Sequence, residues 1–137
     1  MLLAAHVKRL RETSELGAAA VEFALVLPVL LVLLLGIVEF GTAFNAQILL
    51  TNAAREAARS MTLTGDEAEA VAAADAATQP IGLSVTEADV TFTVSPAGPC
   101  VSPARLSVEV TIEKPLLTGL FGATIPLTGK ATRQCGG

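Results

Sequence analysis

From Ala18 to Val38 the chain has one polar position, Glu22; every other residue is apolar, Gly or Pro. A helix over this run is about 31 Å long at 1.5 Å per residue, enough to cross a hydrocarbon core of roughly 30 Å. The helical pattern continues past the span through Phe40, Phe44, Gln47, Ile48, Thr51, Ala54, Ala58 and Met61, with no proline from Val29 to Gln79. It predicts one helix from Ala18 to Met61, about 65 Å long. Pro28 removes one backbone hydrogen bond and is the point at which the helix can kink. The stretch from Asn52 to Arg59 is strongly helix-forming. Within it Ala53, Ala54, Ala57 and Ala58 form a small-residue surface suited to close helix packing, while Arg55, Glu56 and Arg59 read as a solvated face.

After Thr64-Gly65 the pattern changes. Asp66 is placed to cap a short Ala-rich helix that runs to about Ala77 and is ended by Pro80. Then Val90, Phe92 and Val94 alternate with Thr91 and Thr93, and Leu106, Val108, Val110 and Ile112 alternate with Ser107, Glu109, Thr111 and Glu113. The turn-rich stretch from Ser95 to Pro103 between them reads as the loop of an antiparallel hairpin. A third strand is expected from Thr124 to Gln134, preceded by an apolar segment, Leu116 to Gly122, that is either a short helix or a loop. The expected fold class is α+β: a long N-terminal transmembrane and stalk helix, a short helix, and a small antiparallel sheet of about three strands. The expected division is a basic leader at 1–17, a transmembrane segment at 18–38, a stalk continuation at 39–62 and a small α+β head at 63–137.

Charge gives the orientation. Lys8, Arg9 and Arg11 precede the span, and the first basic residue after it is Arg55. The positive-inside rule therefore leaves the N-terminus in the cytoplasm and exports the head. A cleaved secretory signal peptide competes with this reading, its best site being Gly41-Thr42-Ala43, which would leave Phe44 as the new N-terminus. Against it, the uncharged apolar stretch from Phe23 to Val38 is long for a signal core, and Glu22 is an odd residue at its start.

Composition narrows the function classes. The 137 residues carry a net charge of −4 without a long charge run, which gives nucleic acid no basic surface. Trp and Tyr are absent, removing the usual stacking residues of a small-molecule cleft. The sole histidine, His6, lies in the basic leader, so the head has no Ser-His-Asp or Cys-His pairing. No phosphate-cradling glycine loop follows a strand, and the acidic pairs Asp66/Glu67 and Glu87/Asp89 read as solvated charge. The chain is therefore not expected to be an enzyme, nor to need a cofactor or metal. Cys100 and Cys135 are both on the exported side; a disulfide between them would tie the last strand to the hairpin, and two free thiols are the alternative.

Glu22 is the energetic anomaly. A carboxylate at a membrane centre costs about 2.5–3.5 kcal/mol on insertion scales, so either the side chain reaches the headgroups or a partner uses its charge. The residues around it carry a resemblance. The run from Glu15 to Pro28 (ELGAAAVEFALVLP), the segment Gly36-Ile-Val-Glu-Phe-Gly41 and the segment Ala53-Ala-Arg-Glu-Ala-Ala-Arg59 are similar to the TadE-like family, minor pilins or pseudopilins of tight-adherence (Flp-type) pilus systems in bacteria. The similarity is close over about residues 15–60 and beyond residue 62 extends only to the general layout of a variable head ending in strands.

The resemblance implies that the chain is handled as a type IV prepilin. A membrane-bound prepilin peptidase would remove the basic leader between Gly17 and Ala18, with Glu22 and Phe23 as the Glu-aromatic recognition pair. Major pilins more often carry Tyr where this chain has Phe23. Cleavage would make Ala18 a free ammonium at the cytoplasmic face, and the Glu22 carboxylate of a neighbouring subunit could pair with it. An unpaired desolvated charge is costly, so such a pair would favour one stagger between subunits. The implied partners are the membrane, the prepilin peptidase, other pilins or pseudopilins and the assembly platform, with no nucleic acid and no small-molecule substrate. The implied role is assembly of an adhesive pilus or related secretion apparatus. The alternative is a secreted or membrane-tethered binding module whose apolar segment is only a signal or an anchor.

Overall fold

The computed structural model describes residues 2–116, 119 and 123–136, with side chains from Gly17 onward. Helix α1 runs from Leu2 to Thr64 and α2 from Glu67 to Thr78; strands β1 (Val90–Ser95), β2 (Arg105–Pro115) and β3 (Thr124–Gln134) follow. The fold is α+β, a long apolar helix, a short helix and a three-stranded antiparallel sheet. Helix α1 is longer than the apolar pattern predicts, extending through the basic leader at its start and to Thr64 at its end. No helix breaker lies between Leu2 and Gly17, and Pro28 is accommodated inside the helix. The expectation for Leu116 to Gly122 falls largely outside the described residues.

The chain divides into two compact units, Met1–Val38 and Glu39–Gly137. In the first, every described side chain from Gly17 to Val38 is exposed. This stretch belongs to a helix long and apolar enough to cross a membrane. Apart from Glu22, the stretch from Gly17 to Val38 is apolar all round, which suits lipid.

The second unit holds the hydrophobic core. Its sheet has the order β1-β2-β3, with Val90 opposite Val110 and Ser95 opposite Arg105 in one pair, and Arg105 opposite Gln134 and Pro115 opposite Thr124 in the other. Alternation decides which face is buried: Leu106, Val108, Val110 and Ile112 point inward from β2, while Glu109 pairs across the outer face with Lys130 at 2.9 Å. That outer ion pair is well exposed and adds little stability. The inward residues form one core with Leu50, Ala53, Ala54, Ala57 and Ala58 of α1 and Ala70, Val71 and Ala74 of α2.

The small-residue face of α1 is therefore filled by the chain's own core rather than left open for other helices. Its alanines are almost fully buried, and Gly129 of β3 completes the fit. A Cβ at position 129 would lie 2.2 Å from the Leu50 carbonyl carbon and oxygen, so the strand crosses the helix at backbone distance. Arg55, Glu56 and Arg59 are exposed on the opposite side, as the pattern indicates.

Local hydrogen bonds fix the remaining joints. Asp66 caps α2 by accepting from the Ala68 and Glu69 amides at 2.8 and 3.4 Å. Within α2, Asp75 accepts from the Val85 amide at 2.8 Å, and the buried Thr78 hydroxyl contacts the Asp75 and Leu83 carbonyls at 2.9 and 2.8 Å. These contacts hold the turn between α2 and β1 on the core. Asp89 takes up the Thr86 amide and hydroxyl at 2.8 and 2.6 Å. So Asp66 and Asp89 have structural partners beyond plain solvation. Cys135 and Cys100 lie at disulfide distance with a Cα separation of 5.1 Å, joining the end of β3 to the β1–β2 loop.

Candidate functional site

Within the first unit the sequence-predicted residues fall on one stretch of α1. Gly17 and Ala18 are helical, and a Cβ at Gly17 would meet nothing within 4 Å. Ala18 and Glu22 are four residues apart, which places them one turn from each other on the same side of the helix. Glu22, Phe23, Ala19 and Val26 line a shallow open concavity of about 300 Å³. Phe23 is 61% exposed, so its ring presents surface to a partner or to lipid rather than to this chain's own core. The spacing of these four residues is that of a single helix face.

In the second unit the structure brings together residues that the sequence pattern does not single out. Lys114 continues the inward alternation of β2 one step beyond Ile112 and is 9% exposed. Its ammonium lies 3.9 Å from a Glu39 carboxylate oxygen and donates to the Thr42 hydroxyl at 3.3 Å. Thr42 in turn donates to the Glu39 carbonyl at 2.9 Å. Both charged side chains are largely withdrawn from water, 11% and 15% exposed, so each depends on the other more than a surface pair would. The signal was present: period-two alternation carried past Ile112 turns Lys114 inward, where a lysine needs a carboxylate.

The Gln47 side-chain amide donates to the Thr128 carbonyl, and the Thr111 and Thr128 hydroxyls lie 3.0 Å apart. Around this junction Phe40, Ala43, Phe44, Leu116, Ile125 and Leu127, together with Glu39 and Gln47, line an open groove of about 420 Å³. Phe40, Phe44 and Ile48, which carry the apolar period beyond the span, are 74%, 65% and 55% exposed. The core instead uses Ala46, Leu50 and the alanines that follow. Among the described residues no group of three or more His, Cys, Asp and Glu is arranged to hold a metal ion.

The arrangement is a bare apolar helix with one carboxylate, followed by a helix half built into a small sheet. Neither the curated proteins nor the solved structures provide a match. A family model does match, over residues 17–59, the stretch that holds Glu22, Phe23, Glu39 and the buried alanines, and it is that of the TadE-like proteins. Over those residues the chain carries the TadE-like signature and, with its apolar N-terminal helix, fits a membrane protein associated with a Tad pilus system.

Proposed function

We propose that this protein is a single-pass, pseudopilin-like component that contributes to assembly of a tight-adherence pilus or related secretion apparatus. A prepilin peptidase cuts it between Gly17 and Ala18, reading Glu22 and Phe23. The N-terminus faces the cytoplasm, the head is exported, and the exposed helix meets other pilins or pseudopilins and the assembly platform. The observation that carries the reading is the coincidence of the TadE-like match with a helix whose described side chains from Gly17 to Val38 are all exposed. A lone carboxylate on that helix needs a use, and a new ammonium at Ala18 in a neighbouring subunit supplies one.

Retention of the span is supported by the head itself. A cut after Ala43 would remove Glu39 and Thr42, the two groups that meet the Lys114 ammonium. The buried lysine would then lose its counter-charge, a costly outcome. The competing reading, a binding module released or tethered by that segment, draws no comparable support from a particular contact.

The first residue of the mature protein is the test. Ala18 is expected, with the Gly17→Leu variant retaining its leader and running more slowly on a gel. Phe44 at the terminus would establish conventional signal cleavage, and Met1 a plain anchor; either result overturns the processing step.

A further inference from the structure

Helix α1 stays nearly free of charge for some distance past its span. Between Glu22 and Arg55 the only charged residue is Glu39. That carboxylate faces the Lys114 ammonium, which also donates to Thr42. Gln47, the other strongly polar side chain at the groove, is committed to the Thr128 carbonyl. The rest of the groove lining is apolar: Phe40, Ala43 and Phe44 on the helix, with Leu116, Ile125 and Leu127 beside them.

We propose that this groove is a lipid-binding surface, seated in the phospholipid of the exported leaflet at the level of the glycerol groups and the upper acyl chains. The inference rests on the membrane-spanning reading and extends it from the span to the base of the head. Three observations favour lipid over other occupants. Phe40 comes two residues after Val38, the last residue of the span, so the groove's residues begin in the sequence where the lipid-facing segment ends. From Ala18 to Gln47 a helix rises about 45 Å, which matches a whole bilayer of about 40–45 Å with its headgroup layers, whereas Ala18 to Val38 matches only the hydrocarbon core. The charged pair at the groove, Glu39 and Lys114, face each other, and Gln47 is bonded to Thr128, so these groups enter the layer already paired. Exposed phenylalanines gain from the same transfer. The first exposed charged side chains after the span, Arg55 and Glu56, then stand in water.

The chain has no tryptophan, so single reporters can be read without background. Full-length variants Val32→Trp, Phe44→Trp, Ile125→Trp and Leu63→Trp are reconstituted in phosphatidylethanolamine–phosphatidylglycerol vesicles whose acyl chains are brominated near the carbonyl end. Leu116→Trp repeats the groove reading should Ile125→Trp fail to fold. Emission is expected to be lost at positions 32, 44 and 125 and kept at 63. If position 32 is quenched while 125 or its substitute at 116 is not, the span stands and the lipid groove is wrong. If position 32 also keeps its emission, the membrane-spanning reading falls together with this one. Quenching of the groove reporters that appears only when the protein is diluted in lipid would mean that a second copy covers the groove, and would overturn the proposal.

Discussion

Gly129 sits where no side chain fits. An added methyl would stand 2.2 Å from the Leu50 carbonyl carbon and oxygen and 2.5 Å from the Thr51 amide nitrogen, all backbone atoms that cannot turn aside. Leu50 itself is fully buried, so moving the helix away to make room would open the core at Ala53 and Ala54. Gly129→Ala is therefore expected to cost about 2–3 kcal/mol, the range of overpacking in a tight core. The urea midpoint of the full chain in detergent measures it, and an unchanged midpoint would refute the close approach. Glu22 makes the opposite trade. Glu22→Ala removes a carboxylate from the apolar run, so the variant should enter the membrane at least as well as the parent. Its recovery with pilin subunits should nevertheless fall, because the carboxylate is what the neighbouring Ala18 ammonium would meet. Membrane fractionation alongside co-purification separates the two effects, and normal co-purification would remove the assigned role.

At the scale of elements, the joint between α1 and β2 turns on Lys114. Glu39→Leu leaves its ammonium with the Thr42 hydroxyl and should destabilise the head by about 3 kcal/mol. Adding Lys114→Met should restore most of that loss, because two apolar side chains replace a buried pair. Thermal melts of the single and double variants decide it: a double variant no better than Glu39→Leu would show that the pair is not the cause. The strands around this joint were largely legible, since Val90–Val94 and Leu106–Ile112 alternate cleanly and Asp66 announces α2. The buried face of α1 was not. Between Phe40 and Ala58 the helix has apolar residues on several sides, and Phe40, Phe44 and Ile48 outweigh alanine in any hydrophobicity argument. The core takes the alanines instead because a strand can approach them closely, and that approach is set by Gly129, some seventy or more residues away in the chain. The alternation of β2 is enough to turn Lys114 inward, but that Glu39 is its partner depends on the pairing of elements distant in sequence. Glu22 stood out because its context is local.

For the molecule as a whole, the compact unit that holds the sheet starts at Glu39, inside α1 rather than after it. A domain of this size is stabilised by roughly 5–15 kcal/mol, and its core depends on Leu50, Ala53, Ala54 and Ala57 as much as on the strands. The C-terminal half of α1 is thus a structural element of the head, and it should not melt separately from the sheet. Ala54→Pro tests this directly. A proline there removes the amide needed for the helical hydrogen bond and clashes with the carbonyl of Leu50, costing about 3 kcal/mol or more before any loss of packing. The buried alanine face and the Gly129 crossing would be lost with it. Added protease should then digest α2 and the sheet of the variant in reconstituted vesicles while a fragment containing the apolar span stays protected; the parent head should resist. A variant whose sheet remains resistant would show that the strands hold together without the helix, and the shared core would have to be abandoned.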